Sequence, residues 1–359
     1  MDASDLRSRF PVLQRIAYFN AGTDGPLPSA ARDAATAELE RELRDGRSKA
    51  HFERRTELTD ALREAYGGLL GCSTSDLALT TSTTEGIAQT LGGMRLERGS
   101  EIITSDEEHP GLLGALAAAR ELQGVEVREV PMAELAEAVG PRTSLVACSH
   151  VGWMSGLLAP AELADVDVPV VLDGAQGVGA IEVDVAALGC DAYAGAGQKW
   201  CCGPDGTGML YITPELRDSL AIWRRGYGNL EVPGDGLQAK LHDDARSLDT
   251  LSLNAETVAC ALAAVEVLGS AGWSEVHERA RTLAALLAEQ LAERGREPAP
   301  RGRSTLVSFA SPDPEGEREL LAGAGVTLRN IPDRPWLRAS VGAWNDDNDL
   351  DRLLACLPA

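Results

Sequence analysis

The opening residues, Met1-Asp-Ala-Ser-Asp-Leu-Arg-Ser-Arg-Phe10, lack the basic-then-apolar order of a secretory signal, and no apolar run in the 359 residues is long enough to cross a bilayer. A cytoplasmic chain with no membrane partner is expected. The seven cysteines (Cys72, Cys148, Cys190, Cys201, Cys202, Cys260 and Cys356) are odd in number and make no Cys-x-x-Cys pair, so neither a disulfide framework nor a zinc ribbon is expected. Most should be small buried hydrophobes. Basic residues are scarce, 33 against 55 acids, and the resulting charge of −22 repels nucleic acid and anionic surfaces. A small anion must therefore be held locally, by arginines, backbone amides and helix ends. Also missing are Gly-x-x-x-x-Gly-Lys-Ser/Thr, Gly-x-Ser-x-Gly, His-Glu-x-x-His and a well-placed Gly-x-Gly-x-x-Gly, which disfavours nucleotide hydrolysis, serine hydrolysis and zinc chemistry; no metal site is expected.

With 44% hydrophobic and 25% charged residues and no long Pro, Ser or Gln tract, the chain has the composition of an ordered globular enzyme. Short β-rich runs alternate with helical patterns: Leu77-Ala-Leu-Thr, Glu101-Ile-Ile-Thr, Ser144-Leu-Val-Ala-Cys, Pro169-Val-Val-Leu and Gly208-Met-Leu-Tyr-Ile. This alternation predicts an α/β fold with a mostly parallel sheet, whose ligands gather at the carboxyl ends of the strands. Beyond about Leu241 longer helices follow, Glu256 to Leu268 and Trp273 to Arg294, then a few strands and a last helix near Asp349 to Cys356. The reading is a large domain over 16–243 and a smaller α+β domain made of 1–15 and 244–359.

Two strand ends carry chemistry. Lys199 lies at the end of Asp191-Ala-Tyr-Ala-Gly-Ala-Gly-Gln-Lys-Trp200, and Asp173 closes Pro169-Val-Val-Leu-Asp173. Alone, the lysine would reach to solvent and the acid would accept backbone amides at a turn. Together they are the two groups that pyridoxal phosphate asks of a protein, an amine for a Schiff base and an acid for the pyridine nitrogen. The small residues Ala194-Gly-Ala-Gly197 and the turn Cys202-Gly-Pro-Asp-Gly-Thr-Gly208 let backbone approach a flat ring. Desolvation would favour the neutral amine needed to remove a Cα proton. Gln176, three residues after Asp173, is placed to donate to the ring's phenolic oxygen.

Ser82-Thr-Thr-Glu85 opens a helical pattern and reads as a capping box. It reads equally as an anion site, with Thr83 and Thr84 facing a phosphate while Ser82 and Glu85 close the helix end. His109 precedes Pro110 at a helix start after the Glu101 strand and its acidic turn; it is either incidental or a ring-stacking group. In Pro335-Trp-Leu-Arg-Ala-Ser-Val-Gly-Ala-Trp344, alternation puts Leu337, Ala339 and Val341 on one face and Trp336, Arg338 and Ser340 on the other. Arg338 thus points away from the core face, toward either the surface or a substrate carboxylate. Arg329 is a second candidate, suited to a dicarboxylate or longer substrate.

Taken in order, Tyr18-Phe-Asn-Ala-Gly-Thr, Thr83-Thr-Glu-Gly, Glu108-His-Pro, Ser149-His-Val, Leu172-Asp-Gly-Ala-Gln, Gln198-Lys-Trp with Gly203-Pro-Asp-Gly-Thr-Gly, and Leu337-Arg-Ala-Ser resemble the class V aminotransferase and cysteine desulfurase family over nearly the whole chain. The resemblance implies the fold type I architecture of pyridoxal phosphate enzymes, as a homodimer with shared active sites. It implies Lys199 as the Schiff-base lysine, Asp173 at the pyridine nitrogen, Gln176 at the phenolic oxygen, His109 over the ring, Thr84 at the phosphate and Arg338 at the substrate carboxylate; Thr83 and Gln198 are further cofactor candidates, and Asn20, Trp153 and Arg329 further substrate candidates. Ser252, in Leu248-Asp-Thr-Leu-Ser, corresponds loosely to a hydroxyl that reaches the partner subunit's phosphate.

Departures from the family pattern bear on the reaction. Val326-Thr-Leu-Arg-Asn-Ile-Pro-Asp-Arg-Pro-Trp336 contains no cysteine where desulfurases carry a mobile nucleophile. Ala196 and Gln198 replace the usual Ser and His, and Trp153 stands where an asparagine commonly meets substrate. These features are most similar to the cystine or cysteine C–S lyase branch. They imply β-elimination from cysteine, cystine or an S-substituted cysteine. Class V transamination, amino-acid epimerisation, or a desulfurase-like protein without its cysteine stand as alternatives.

Overall fold

The structure is a computed structural model and describes residues 3–358. Twelve strands run in chain order as β1 (Ala17–Tyr18), β2 (Leu77–Thr80), β3 (Glu101–Ser105), β4 (Glu126–Val130), β5 (Thr143–Ser149), β6 (Val170–Asp173), β7 (Ala192–Ala196), β8 (Gly208–Ile212), β9 (Leu306–Ala310), β10 (Val326–Thr327), β11 (Arg329–Ile331) and β12 (Trp336–Ser340). The helices are α1 (Ala3–Ser8), α2 (Ser29–Asp45), α3 (Lys49–Leu70), α4 (Thr83–Gly93), α5 (Pro110–Gln123), α6 (Pro214–Ser219), α7 (Ala255–Gly269), α8 (Trp273–Glu293), α9 (Pro314–Gly323) and α10 (Asp347–Cys356).

Seven strands form the main sheet in the order β2-β8-β7-β6-β5-β3-β4. Only β8 runs against its neighbours; the others are parallel, as the alternating pattern predicts. The central strands are buried on both faces, which is why Val170-Val-Leu and Ala192-Tyr-Ala read as continuous apolar runs. The sequence reading passed over β4, because this edge strand is Glu-Val-Arg-Glu-Val and most of it meets solvent.

One apolar cluster joins the sheet to α3 and α7, and another joins its opposite face to α4 and α5. Gly86 on α4 lets this helix sit close to the sheet: a Cβ there would lie 3.0 Å from that of Ala194. That contact fixes where the N-terminus of α4 points. A third cluster unites α8, α10 and the antiparallel sheet β11-β12-β9 with β1, which pairs with β10. The division expected at 243/244 assigns α7 to the C-terminal part, yet Ala255, Val258, Ala261 and Val265 pack in the α3 cluster. The separate C-terminal core begins with α8. No single helix among the described residues is long and apolar enough to cross a membrane.

Candidate active site

The carboxyl ends of β2, β3, β5, β6 and β7 surround a cavity of about 190 Å³ lined by Thr83, Thr84, His109, Trp153, Asp173, Gln176, Gln198, Lys199 and Arg329. Parallel strands aim their following loops to one side of the sheet, so residues nearly 250 positions apart meet there.

Lys199 is set by a tight turn after β7. Gly203 N–H donates to Gly197 O at 2.9 Å, Cys202 N–H donates to Lys199 O at 3.1 Å, and Cys202 takes a left-handed φ of 55°. Gly25 packs against the same turn; a Cβ there would stand 2.1 Å from Lys199 O, so no side chain fits. Among the described residues no carboxylate oxygen comes within 4.0 Å of Nζ. Desolvation lowers the lysine pKa, Asp173 opposes this, and Arg338 adds to it.

Asp173 is buried at the end of β6, where Oδ1 accepts from Ala175 N–H at 2.9 Å. Burial raises its pKa and the nearby Lys199 works against that rise. Acid and amine thus face one cavity without touching. Gln176 is clamped by donating Nε2 to Gly22 O at 2.8 Å and accepting from Trp200 Nε1 at 3.0 Å. One amide hydrogen of Nε2 stays uncommitted.

At the opposite wall Ser82 caps α4, accepting from Glu85 N–H at 3.1 Å. The expected capping box is only half formed, because the Glu85 carboxylate turns instead to Thr81 N–H and Oγ1 and to Arg224. Thr83 and Thr84 occupy the first helical positions, where free amides and the helix dipole favour an anion. Thr83 Oγ1 and Gln198 Oε1 are both buried without a partner.

His109 caps α5, accepting from Gly111 N–H at Nδ1. Its ring stands edge-on to Trp153 at 5.2 Å. Burial, with Lys199 and the two arginines adding to it, pushes its pKa down to about 4, so the imidazole is neutral at physiological pH. The Arg329 guanidinium lies 5.4 Å from the Trp153 ring centre.

Arg338 is the group the alternation pattern described least completely. It faces away from the apolar cluster of Leu337 and Ala339, but it is 0% exposed rather than a surface residue. It sits just behind the cavity wall, donating Nη1 to Trp153 O at 2.6 Å, while Nε and Nη2 have no partner. Arg329 is directly opposite it in the β11–β12 register. Burial, then this like charge, lowers its pKa to about 9.

Two further sequence candidates also lie off the wall. Asn20 bridges to Ser340 with Oδ1 buried and unpaired, and Ser252 lines a different groove with Arg55, Tyr227 and His242. Sequence reasoning assigned no role to Gly22, Thr23 or Ala175, which line the cavity. Their signal was their place inside the Asn20-Ala-Gly-Thr and Asp173-Gly-Ala-Gln motifs. The acids Glu107 and Glu108, read from the sequence only as an acidic turn, are buried. All seven cysteines are free thiols, five of them buried, and none lines the cavity.

An anion-binding helix end, two unpaired polar atoms beside it, and an amine facing a buried acid across a cavity fit pyridoxal phosphate, and with this fold they define a pyridoxal phosphate-dependent enzyme of fold type I. Residues 16–353 match the aminotransferase class-V family, and the chain belongs to it. It is similar to isopenicillin N epimerase of Amycolatopsis lactamdurans, at 30% identity over 99% of this chain and 97% of that one. Among solved structures, the cystine C–S lyase C-DES in complex with its reaction product cysteine persulfide superposes with a TM-score of 0.90 at 27% identity, covering 96% of this chain and 98% of that one. A probable cysteine desulfurase of Methanothermobacter thermautotrophicus is 29% identical over 66% of this chain and 63% of its own length.

Proposed function

We propose that the chain is a C–S β-lyase acting on cysteine, cystine or an S-substituted cysteine. The observation that carries this reading is the cavity itself: Lys199 and Arg329 line it, Arg338 lies just behind its wall with two unpaired donors, and none of the seven thiols lines it. A desulfurase mechanism needs such a thiol. The likeness to C-DES along nearly the full length of both chains supports the same choice.

Bound pyridoxal phosphate supplies an electron-withdrawing ring that acidifies the Cα–H of an attached amino acid and so lets a β-sulfur leave. In this reading Lys199 Nζ carries the cofactor. As a free amine it would take the Cα proton of a bound substrate, a task its lowered pKa favours. The Asp173 carboxylate would hold a proton on a pyridine nitrogen, and Gln176 Nε2 has a spare hydrogen that would serve a phenolic oxygen. Thr83, Thr84 and Gln198 hold the phosphate at the head of α4. His109, uncharged, covers one ring face. Arg338 and Arg329 grip the carboxylate and orient Cα–H relative to Lys199. Pyruvate, ammonia and a thiol or persulfide should appear when purified protein is incubated with cysteine, cystine and cysteine S-conjugates. No pyruvate from any of them would overturn the lyase reading.

A second reading, epimerisation at Cα, is favoured by the full-length similarity to isopenicillin N epimerase. Solvent deuterium at Cα of recovered, inverted substrate would select it, and pyridoxamine phosphate formed from an amino donor would select transamination. The assembly we infer is a cytoplasmic homodimer with shared sites. Free thiols support the compartment, and the exposed Trp223, Tyr227, Leu237 and Leu251, of which Tyr227 and Leu251 share a groove with Ser252, support the self-association. A monomer in sedimentation at micromolar concentration would contradict it.

A further inference from the structure

Glu107 and Glu108 are adjacent acids at 9% and 5% exposure, and among the described residues neither has a cation within 4.0 Å. Buried carboxylates without a counter-ion are costly. Burial raises both pKa values, that of Glu108 up to about 7. What holds them is a set of neutral donors, and each acid holds a different part of the site.

Glu108 grips the end of β5. Its two oxygens accept from Ser149 N–H at 2.9 and 3.0 Å, Oε2 accepts from Ser149 Oγ at 2.6 Å, and Ser105 Oγ closes the cluster. Ser149 is the register partner of Asp173, and the next residue, His150, donates its N–H to Asp173 O at 2.9 Å. Glu108 therefore sets the strand against which the Asp173 carboxylate is placed.

Glu107 grips the turn beyond β5. Its Oε2 accepts from Ser155 N–H at 3.0 Å, and the turn is closed by Gly152 N–H donating to Leu157 O at 2.7 Å. The approach is close enough that a Cβ on Gly152 would stand 2.8 Å from Glu107 Oε2. This turn carries Trp153, whose carbonyl anchors Arg338 and whose ring faces Arg329.

We propose that Glu107 and Glu108 are positioning residues with divided tasks, Glu108 aligning the Asp173 side of the cavity that meets the cofactor ring and Glu107 aligning the Trp153 turn and the arginines that meet the substrate carboxylate. The assignment rests on the reading that Lys199 carries pyridoxal phosphate and that the arginines bind the carboxylate. Two affinities test it: pyridoxal phosphate for cofactor-free protein, by absorbance titration, and L-alanine or L-cysteine for loaded protein, by half-saturation of the spectral change they induce.

Glu107→Ala should weaken amino-acid binding about tenfold, the size of one lost buried hydrogen bond to a charged group, and leave cofactor affinity within about twofold. Glu107→Gln, which still accepts from Ser155 N–H, should restore it. Glu108→Ala should weaken cofactor affinity about tenfold, with Glu108→Gln recovering most of the loss. Should an alanine variant fail to fold by circular dichroism, Gly152→Ala displaces Glu107 and Ser149→Ala removes a donor from Glu108. Each should reproduce the same single-affinity loss at smaller size. If the Glu107 and Glu108 variants lower both affinities in equal proportion, or neither, the division of tasks is overturned. A wild-type protein that takes up no pyridoxal phosphate would instead overturn the functional reading on which it rests.

Discussion

Arg63 and Arg338 are two arginines of similar burial, 5% and 0% exposed, in opposite circumstances. Arg63, on α3, donates Nη1 and Nη2 to the two oxygens of Asp249 at 3.0 and 2.7 Å and Nη1 to Leu77 O at 2.6 Å. Arg338 makes one hydrogen bond, leaves Nε and Nη2 unpaired, and faces another arginine across the sheet. A buried cation costs several kcal/mol to desolvate, and an ion pair at Arg63 offsets that cost within the chain. Among the described residues no carboxylate lies within 4.0 Å of Arg338 to do the same. The difference teaches that burial alone does not mark a functional charge; burial without a counter-ion, beside a cavity, does. Lys199, without a carboxylate in contact, belongs with Arg338 in this respect.

The largest expected effect follows from Lys199. Lys199→Ala should lower kcat/KM by about 10⁴-fold, the upper range for losing a general base, and should remove the cofactor's visible absorbance. Steady-state kinetics and a spectrum check both. The arginine comparison is broken or sharpened by making the same substitution at each site. Arg338→Met should raise the half-saturating amino-acid concentration about 100-fold, as two charged hydrogen bonds to a carboxylate would be lost, with thermal stability equal or higher. Arg63→Met should do the reverse, costing about 3–5 kcal/mol by leaving Asp249 buried and unpaired, with substrate affinity unchanged. Denaturant melts and binding titrations on both variants separate the outcomes. Equal behaviour of the two would erase the distinction.

A smaller effect concerns buried bases without acids. Burial pushes His109, His150 and His277 down to about 4 from an ordinary 6.5. The unfolded chain takes up these protons first, so the stability they lend is full above pH 6.5 and is lost as pH falls toward 4. Glu108 opposes this: raised from 4.5 to about 7, it lends stability that is full below pH 4.5 and lost as pH rises through 7. Glu107 and Asp173, also raised by burial, act in the same direction as Glu108, so the histidines' own share of the rise in melting temperature from pH 4 to 6.5 is read by removing one of them. His277→Gln, far from the cavity, should flatten that rise without changing kcat/KM; an unaltered slope would remove His277 from the account.

What the sequence made legible follows physical lines. Strands β2, β3, β5, β6 and β8 stand out because they are almost wholly buried and each carries an apolar run, whereas β4 hides behind Glu126, Arg128 and Glu129 at the sheet edge. The motifs around Thr83, His109, Asp173 and Lys199 were readable as strand ends, and the parallel topology brings them to one cavity. Pattern alone could not tell that Arg338 is sealed behind Trp153, since alternation gives a face and not what covers it. Nor could it show Glu107 and Glu108 as buried clamps. Two acids after a strand look like a solvated turn until Ser149 and Ser155 are seen to satisfy them. Nor does an apolar helix reveal which core it joins, as α7 shows by packing with α3.

The central claim is that the amine of Lys199 holds pyridoxal phosphate. The chain contains three lysines, and Lys49 and Lys240 are both exposed, which makes the test direct. Borohydride reduction of the cofactor-loaded protein, followed by peptide mass spectrometry, should place one phosphopyridoxyl group on the peptide that carries Lys199 and none on the other two. A label on Lys49 or Lys240 in its place, or no label on any lysine, would contradict the account.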